Sequence, residues 1–183
     1  MQTERIGDWN ESFSGRKFWT QDPRPGDFDI EDIAHALANQ CRFVGHCAEF
    51  YSVAQHSVLV SWLVPFEDAL EGLMHDASEA YLGDISSPLK RSGAMDRYEE
   101  LEHMFSVALA AQFGFRYPYP PSVKRADLVM LATEKRDLMP HSEPLWAYLN
   151  GVVPAQYVIS PLSPKKAKQL FLDRYYGLSG SRV

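Results

Sequence analysis

The sequence predicts an all-α protein that folds as one helical domain behind an irregular N-terminal arm. Three observations carry this prediction. Apolar residues recur at threes and fours over most of the chain, helix start and stop residues bracket those stretches, and no alternating strand pattern of convincing length interrupts them. A length of 183 residues suits one domain around one core.

Residues 1–28 carry Trp9, Phe13, Phe18, Trp19 and Phe28 among several Pro and Gly without a helical period, which predicts an irregular arm packed by its aromatics. Asp29 can cap a helix whose apolar positions are Ile30, Ile33, Ala34, Leu37 and Cys41. Ser52 and Gln55 form an S-x-x-Q capping box ahead of Val58, Leu59, Trp62 and Leu63, so a second helix begins there with His56 in its early turns. Pro65 suits the first turn of a third helix through Ala69, Leu73, Ala77 and Tyr81, closed by Gly83 and containing His75 and Asp76. A fourth helix spans about residues 94–113 and stops at Gly114. After the Pro-rich connector 117–121, a helix from Ser122 sets Val123, Ala126, Asp127, Met130, Leu131 and Glu134 on one stripe. Residues 140–161 are broken by prolines and hold at most a short helix near 145–149, and Ser163-Pro164 opens the last helix. The helical core is therefore 29–139, followed by a C-terminal segment and helix over 140–183.

Composition narrows the function. With 18 Lys+Arg against 24 Asp+Glu the formal charge is −6, so no global basic field exists to hold a long nucleic acid. An anionic substrate would have to be small and met by a local basic pocket. No apolar run reaches membrane-span length and the polar start is unlike a signal peptide, so the expected compartment is the cytoplasm. Cys41 and Cys47 match no disulfide, zinc or redox pattern and read as free thiols.

The chemistry centres on His75-Asp76, an imidazole and a carboxylate within an otherwise apolar helix, where both are costly to bury without compensation. A cation would compensate both. His56 on the preceding helix and Asp127 on an inward stripe complete a candidate cage of two nitrogens and two carboxylate oxygens. That donor set suits one divalent ion such as Mn, Co, Fe, Zn or Mg. Lys124 and Arg125 read as pointing to other faces of their helix, which leaves Asp127 for the ion. The remaining histidines, His35, His46, His103 and His141, read as structural or exposed. Glu134 and Arg136 read either as pocket residues or as an ion pair within the fold.

The order His56, His75-Asp76, Asp127 resembles the H…HD…D pattern of HD-domain phosphohydrolases, whose fold is an all-α helical bundle. The run HDASEAYLGDISSPLK at residues 75–90 is similar to bacterial HD-domain 5′-deoxynucleotidases and phage dATP triphosphohydrolases. The likeness spans roughly residues 42–134. It implies that Glu79 and Asp84 are the acid–base pair, that Arg42 and Phe43 clamp phosphate and stack on the base, and that Pro88 and Lys90 meet the sugar, base edge and phosphate. It also implies a small nucleotide substrate and a homo-oligomer. Locally, Glu79 shares a helix face with His75 and Asp76, and Gly83 frees the chain to turn Asp84 back.

The expected activity is release of phosphate from deoxyribonucleoside 5′-monophosphates. The alternative is a dNTP triphosphohydrolase, and a further one is a non-catalytic nucleotide-binding domain that keeps only the metal cage. Hydrolysis of guanosine tetraphosphate is disfavoured, because its enzymes carry an adjacent Glu-Asp where this chain has Glu79-Ala80.

Overall fold

The computed structural model, which describes residues 4–139 and 146–180, is all-α apart from one small hairpin. In the hairpin β1 (Trp9–Glu11) pairs antiparallel with β2 (Lys17–Trp19). The arm is therefore less irregular than its sequence suggests. Three residues per strand are too few to register as a strand period, and the turn is held by a side chain distant in sequence. The hydroxyls of Ser12 and Ser14 donate to Asp32 at 2.7 and 2.8 Å, and the Ser14 amide donates to it at 2.7 Å. Phe18 and Phe28 enter the core, whereas Trp9 and Phe13 stay exposed.

Helix α1 (Ile30–Asn39) starts at Asp29, whose carboxylate accepts from the Glu31 amide at 2.9 Å. Helix α2 (Val53–Leu63) starts at Ser52, whose hydroxyl accepts from the Gln55 amide at 3.2 Å. The return half of that capping box is not made. Gln55 instead donates to the Ser160 carbonyl and accepts from the Leu162 amide, each at 2.8 Å, and so ties the C-terminal segment to α2. Every residue from Val53 to Ser61 is buried, while Trp62 turns to solvent.

The third predicted helix is not continuous. It is divided into α3 (Ala69–Met74) and α4 (Glu79–Leu82). Between them the amides of Ala77, Glu79 and Ala80 donate three residues back, to Met74, Asp76 and Ala77. The cause lies at His75: its Nδ1 is 2.9 Å from the Gly72 carbonyl, the group that a continuous helix would offer to the Asp76 amide. Gly72 also lets α3 approach α2, since a Cβ there would stand 3.1 Å from Ser61 Cα and from a Val64 methyl.

Gly83, at φ 86°, turns the chain into α5 (Ser87–Leu89) and an irregular turn over Lys90–Ala94. Helix α6 (Asp96–Phe113) then runs to the left-handed Gly114, and α7 (Pro121–Leu138) follows the Pro-rich connector. The short helix expected near 145–149 is a single turn, Ala147–Leu149, and position 145 lies outside the described residues, as does His141. Helix α8 (Pro164–Ser179) packs against α1, α2 and α3. With α7 on another side, α2 is enclosed by helices. No helix among the described residues is long and apolar enough to cross a membrane.

Candidate metal centre

His56 is fully buried on α2, and its Nδ1 lies 2.6 Å from Oε1 of the equally buried Glu134 on α7. His75, at the C-terminal end of α3, commits its own Nδ1 to the Gly72 carbonyl. An ionised carboxylate and a carbonyl both accept, so each imidazole donates from Nδ1 and turns its Nε2 toward the other. The two Nε2 atoms face each other across 3.3 Å. Two lone pairs at that distance repel unless a proton or a cation stands between them.

Carboxylates lie beside this pair of nitrogens. Asp76 places Oδ1 at 3.2 Å from His75 Nε2 and Oδ2 at 3.5 Å from His56 Nε2. Asp127 Oδ1 stands 3.4 Å from His56 Nε2. Ligands sharing one ion at about 2.1 Å are separated from one another by about 3.0–3.4 Å, whether tetrahedral or octahedral. The observed separations lie in or close to that range, and His56, His75 and Asp76 could hold a metal ion, with Asp127 beside His56. The paired Glu134 adds the carboxylate–histidine support usual behind such a ligand.

The electrostatics are consistent with a site short of positive charge. Burial works against the His56 cation, as does Arg42, yet Glu134 and Asp127 raise its pKa to about 9. Burial would raise Asp127, but its hydrogen bond to His56 and the charges of His56 and His75 hold it well below the carboxylate range. Glu134 is likewise lowered against its burial by Arg42 and His56.

Above the cluster opens a cavity of about 970 Å³, lined by His75, Asp76 and Asp127 together with Glu79, Asp84, Arg42, Phe43, Pro88 and Lys90. The structure thus brings every sequence-predicted site residue to one place, with His56 beneath its floor. Burial, then the neighbouring Asp76 and Asp84, push the Glu79 carboxyl well above its usual range. Its Oε2 is buried without a hydrogen-bond partner. Asp84 is raised by burial, which Arg42 partly offsets.

Both expected phosphate cations already have partners. Arg42 donates from Nη2 to Glu134 at 3.1 Å and holds Nη1 3.7 Å from Asp76. Lys90 donates to Glu102 at 2.6 Å and lies 3.6 Å from Glu79. Lys124 does not point away from Asp127: it lies one turn earlier and its Nζ is 3.4 Å from Oδ2. Arg136 is structural, bound to Asp137 and to the Ala155 and Tyr157 carbonyls.

Sequence reasoning missed three contributors. Gln40, the residue closing α1, donates to the Glu79 carbonyl at 2.9 Å and accepts from the Asp84 amide at 3.1 Å, bracing both ends of the acidic strip. Nothing in a helix-ending glutamine announces this. Trp146 and Tyr148 line the cavity from a proline-broken segment with no period to read.

No protein-family model matches the chain. It is 43% identical over 172 residues to YfdR, an uncharacterized protein of Escherichia coli (strain K12), which covers 93% of this chain and 96% of that protein. It is 38% identical over 127 residues, 64% of each chain, to the uncharacterized protein RCAP_rcc00048 of Rhodobacter capsulatus. Near full-length coverage at that identity establishes kinship: the chain belongs to the family of YfdR.

Proposed function

We propose that the chain is a metal-dependent phosphohydrolase of the HD-domain type that releases phosphate from deoxyribonucleoside 5′-monophosphates. One observation carries the reading: the Nε2 atoms of His56 and His75 and the Asp76 carboxylate cluster closely enough to hold one ion, with Asp127 beside His56, below a cavity whose wall holds a buried carboxyl and several cations. His56, His75, Asp76 and Asp127 would hold one divalent ion, Mn, Co, Mg, Zn or Fe. Such an ion, when bound, supplies Lewis-acid polarisation of the phosphate and a more acidic water.

The chain's own residues do the rest. Glu79, kept protonated by burial and by Asp76 and Asp84, gives its proton to the ester oxygen as the bond from phosphorus to that oxygen breaks. Asp84 receives a proton from the attacking water, and its charge is balanced by Arg42. Arg42 and Lys90 face the developing charge on phosphate while sharing Glu134 and Glu102. The exposed Ile6, Trp9 and Phe13 of the arm support self-association of identical copies.

A second reading, hydrolysis of dNTP to deoxynucleoside and triphosphate, is favoured by the cavity itself. Its volume of about 970 Å³ stands at the roomy end of the roughly 300–1,000 Å³ of ligand clefts. Incubating the chain with dAMP or dATP and added Mn, Co or Mg, then separating products, tests both. Phosphate from dAMP supports the first reading and triphosphate from dATP the second. Turnover of neither overturns both.

A further inference from the structure

Beside the acidic strip, the cavity carries a cluster of aromatic rings that no metal or proton chemistry requires. Phe43 and Trp146 have ring centroids 5.8 Å apart, and Trp146 and Tyr148 lie 5.9 Å apart with planes inclined by 22°. All three line the cavity, and none belongs to the hydrophobic core. Trp146 is half-buried and Tyr148 is 39% exposed. Large rings left partly wet around a concavity mark a surface that gains by being covered.

Cations flank the same rings. The Arg42 guanidinium is 5.4 Å from the Phe43 ring, Arg91 is 5.0 Å from Tyr148, and Lys135 Nζ is 5.1 Å from Trp146. A wall of this kind offers π-faces to a planar ring and positive charge to the anionic groups attached to it.

The backbone adds an independent observation. Phe43 and Val44 both adopt left-handed conformations, at φ 55° and 54°. Neither is glycine, and Val is β-branched, so the pair is sterically costly. Strain of this kind persists at ligand sites where it aims a side chain. Here the strained pair carries the Phe43 ring into the cavity beside Trp146.

We infer that Trp146 and Tyr148 extend the stacking contact expected of Phe43 into a wall for the heteroaromatic base of a nucleotide. This deepens the nucleotide reading above and rests on it. The wall assigns to the C-terminal segment the selection of a base-bearing phosphate over a bare sugar phosphate.

Equilibrium binding to the full chain tests the wall without requiring turnover. The ligands are dAMP and base-free deoxyribose 5-phosphate, and the variants are Trp146→Ala, Tyr148→Ala and Trp146→Phe, each checked for an unchanged circular dichroism spectrum. Loss of one stacking ring should weaken dAMP about tenfold, Trp146→Phe should restore most of that, and deoxyribose 5-phosphate should bind all forms alike. Equal dAMP affinity in the parent and both alanine variants would overturn the wall, as would an equal loss for the base-free phosphate. The outcome is separable from the hydrolase reading. If no nucleotide is turned over yet Trp146→Ala still loses dAMP, the wall stands alone. If dAMP is hydrolysed by Trp146→Ala with unchanged KM, the wall falls and the hydrolase remains.

Discussion

Glu134 Oε1 lies 2.6 Å from Nδ1 of His56, and both side chains are fully shielded from solvent. The same carboxylate accepts from Arg42. One acidic group on α7 therefore orients an imidazole of the candidate metal centre and anchors a cavity cation. Glu134→Gln keeps the shape but removes the charge. Divalent-ion affinity, measured by calorimetric titration, should fall by about 10–100-fold. Stability should drop too, by up to about 3–5 kcal/mol, because the buried Arg42 loses its nearest carboxylate and keeps only the more distant Asp76. An affinity within twofold of the parent would count against this role.

Glu79 should separate chemistry from ion binding. In Glu79→Gln the rate on the preferred nucleotide should fall at least about 100-fold, the usual scale for losing an acid–base group. Metal affinity should stay near the parent value. A variant that keeps its rate would remove Glu79 from the reaction.

Gln40 does not itself line the cavity, yet its amide holds the Glu79 carbonyl and the Asp84 amide. Gln40→Ala should lower kcat about tenfold with KM little changed, since binding tolerates a misplacement of about 1 Å that proton transfer does not. Gln40→Glu, which can accept from the Asp84 amide but not donate to Glu79, should fall between the two. Equal losses in kcat and in thermal stability for both variants would point to a merely structural amide.

Gly72→Ala tests the approach of α3 to α2. The new methyl would meet Ser61 Cα and a Val64 methyl at 3.1 Å, and overpacking of this order costs about 1–3 kcal/mol. Denaturant unfolding should register that loss. Because the Gly72 carbonyl also engages His75, metal affinity should weaken in the same variant.

Asp68 makes a prediction remote from the metal centre. Its hydrogen bonds from Ser122 and Arg116 lower its pKa. A depressed folded pKa means stability that is present above the unfolded value and lost as pH falls through the folded one. Asp68→Asn should therefore be less stable than the parent at about pH 7, with the gap narrowing below about pH 4, the ordinary range of a carboxyl. A gap independent of pH would remove the charge from the account.

The approach of Asp127 to His56 was legible because each sat on a periodic stretch with its own start signal, Ser52 before His56 and the 123–134 stripe for Asp127. The boundary of α1 at Asp29 was equally readable. What escaped was set by contacts distant in sequence. The break after Met74 follows from one imidazole taking a helix carbonyl, and its flanking apolar pattern looks the same whether or not that bond forms. The hairpin in the arm depends on Asp32, about 20 residues onward in the chain. Trp146 and Tyr148 reach the cavity from a segment whose path is set by packing alone, and the partners of Glu134 emerge only when α7 meets α2.

Gln55 and His56 are adjacent on α2, and they point into different tasks: one fastens Ser160 and Leu162, the other faces His75. Adding or deleting a residue between Ser52 and Gln55 would rotate both by about 100° and unfasten tail and cage in a single event. Divergence in this family should therefore proceed by substitution alone through that stretch, while gains and losses of length accumulate in the arm and in the proline-broken segment.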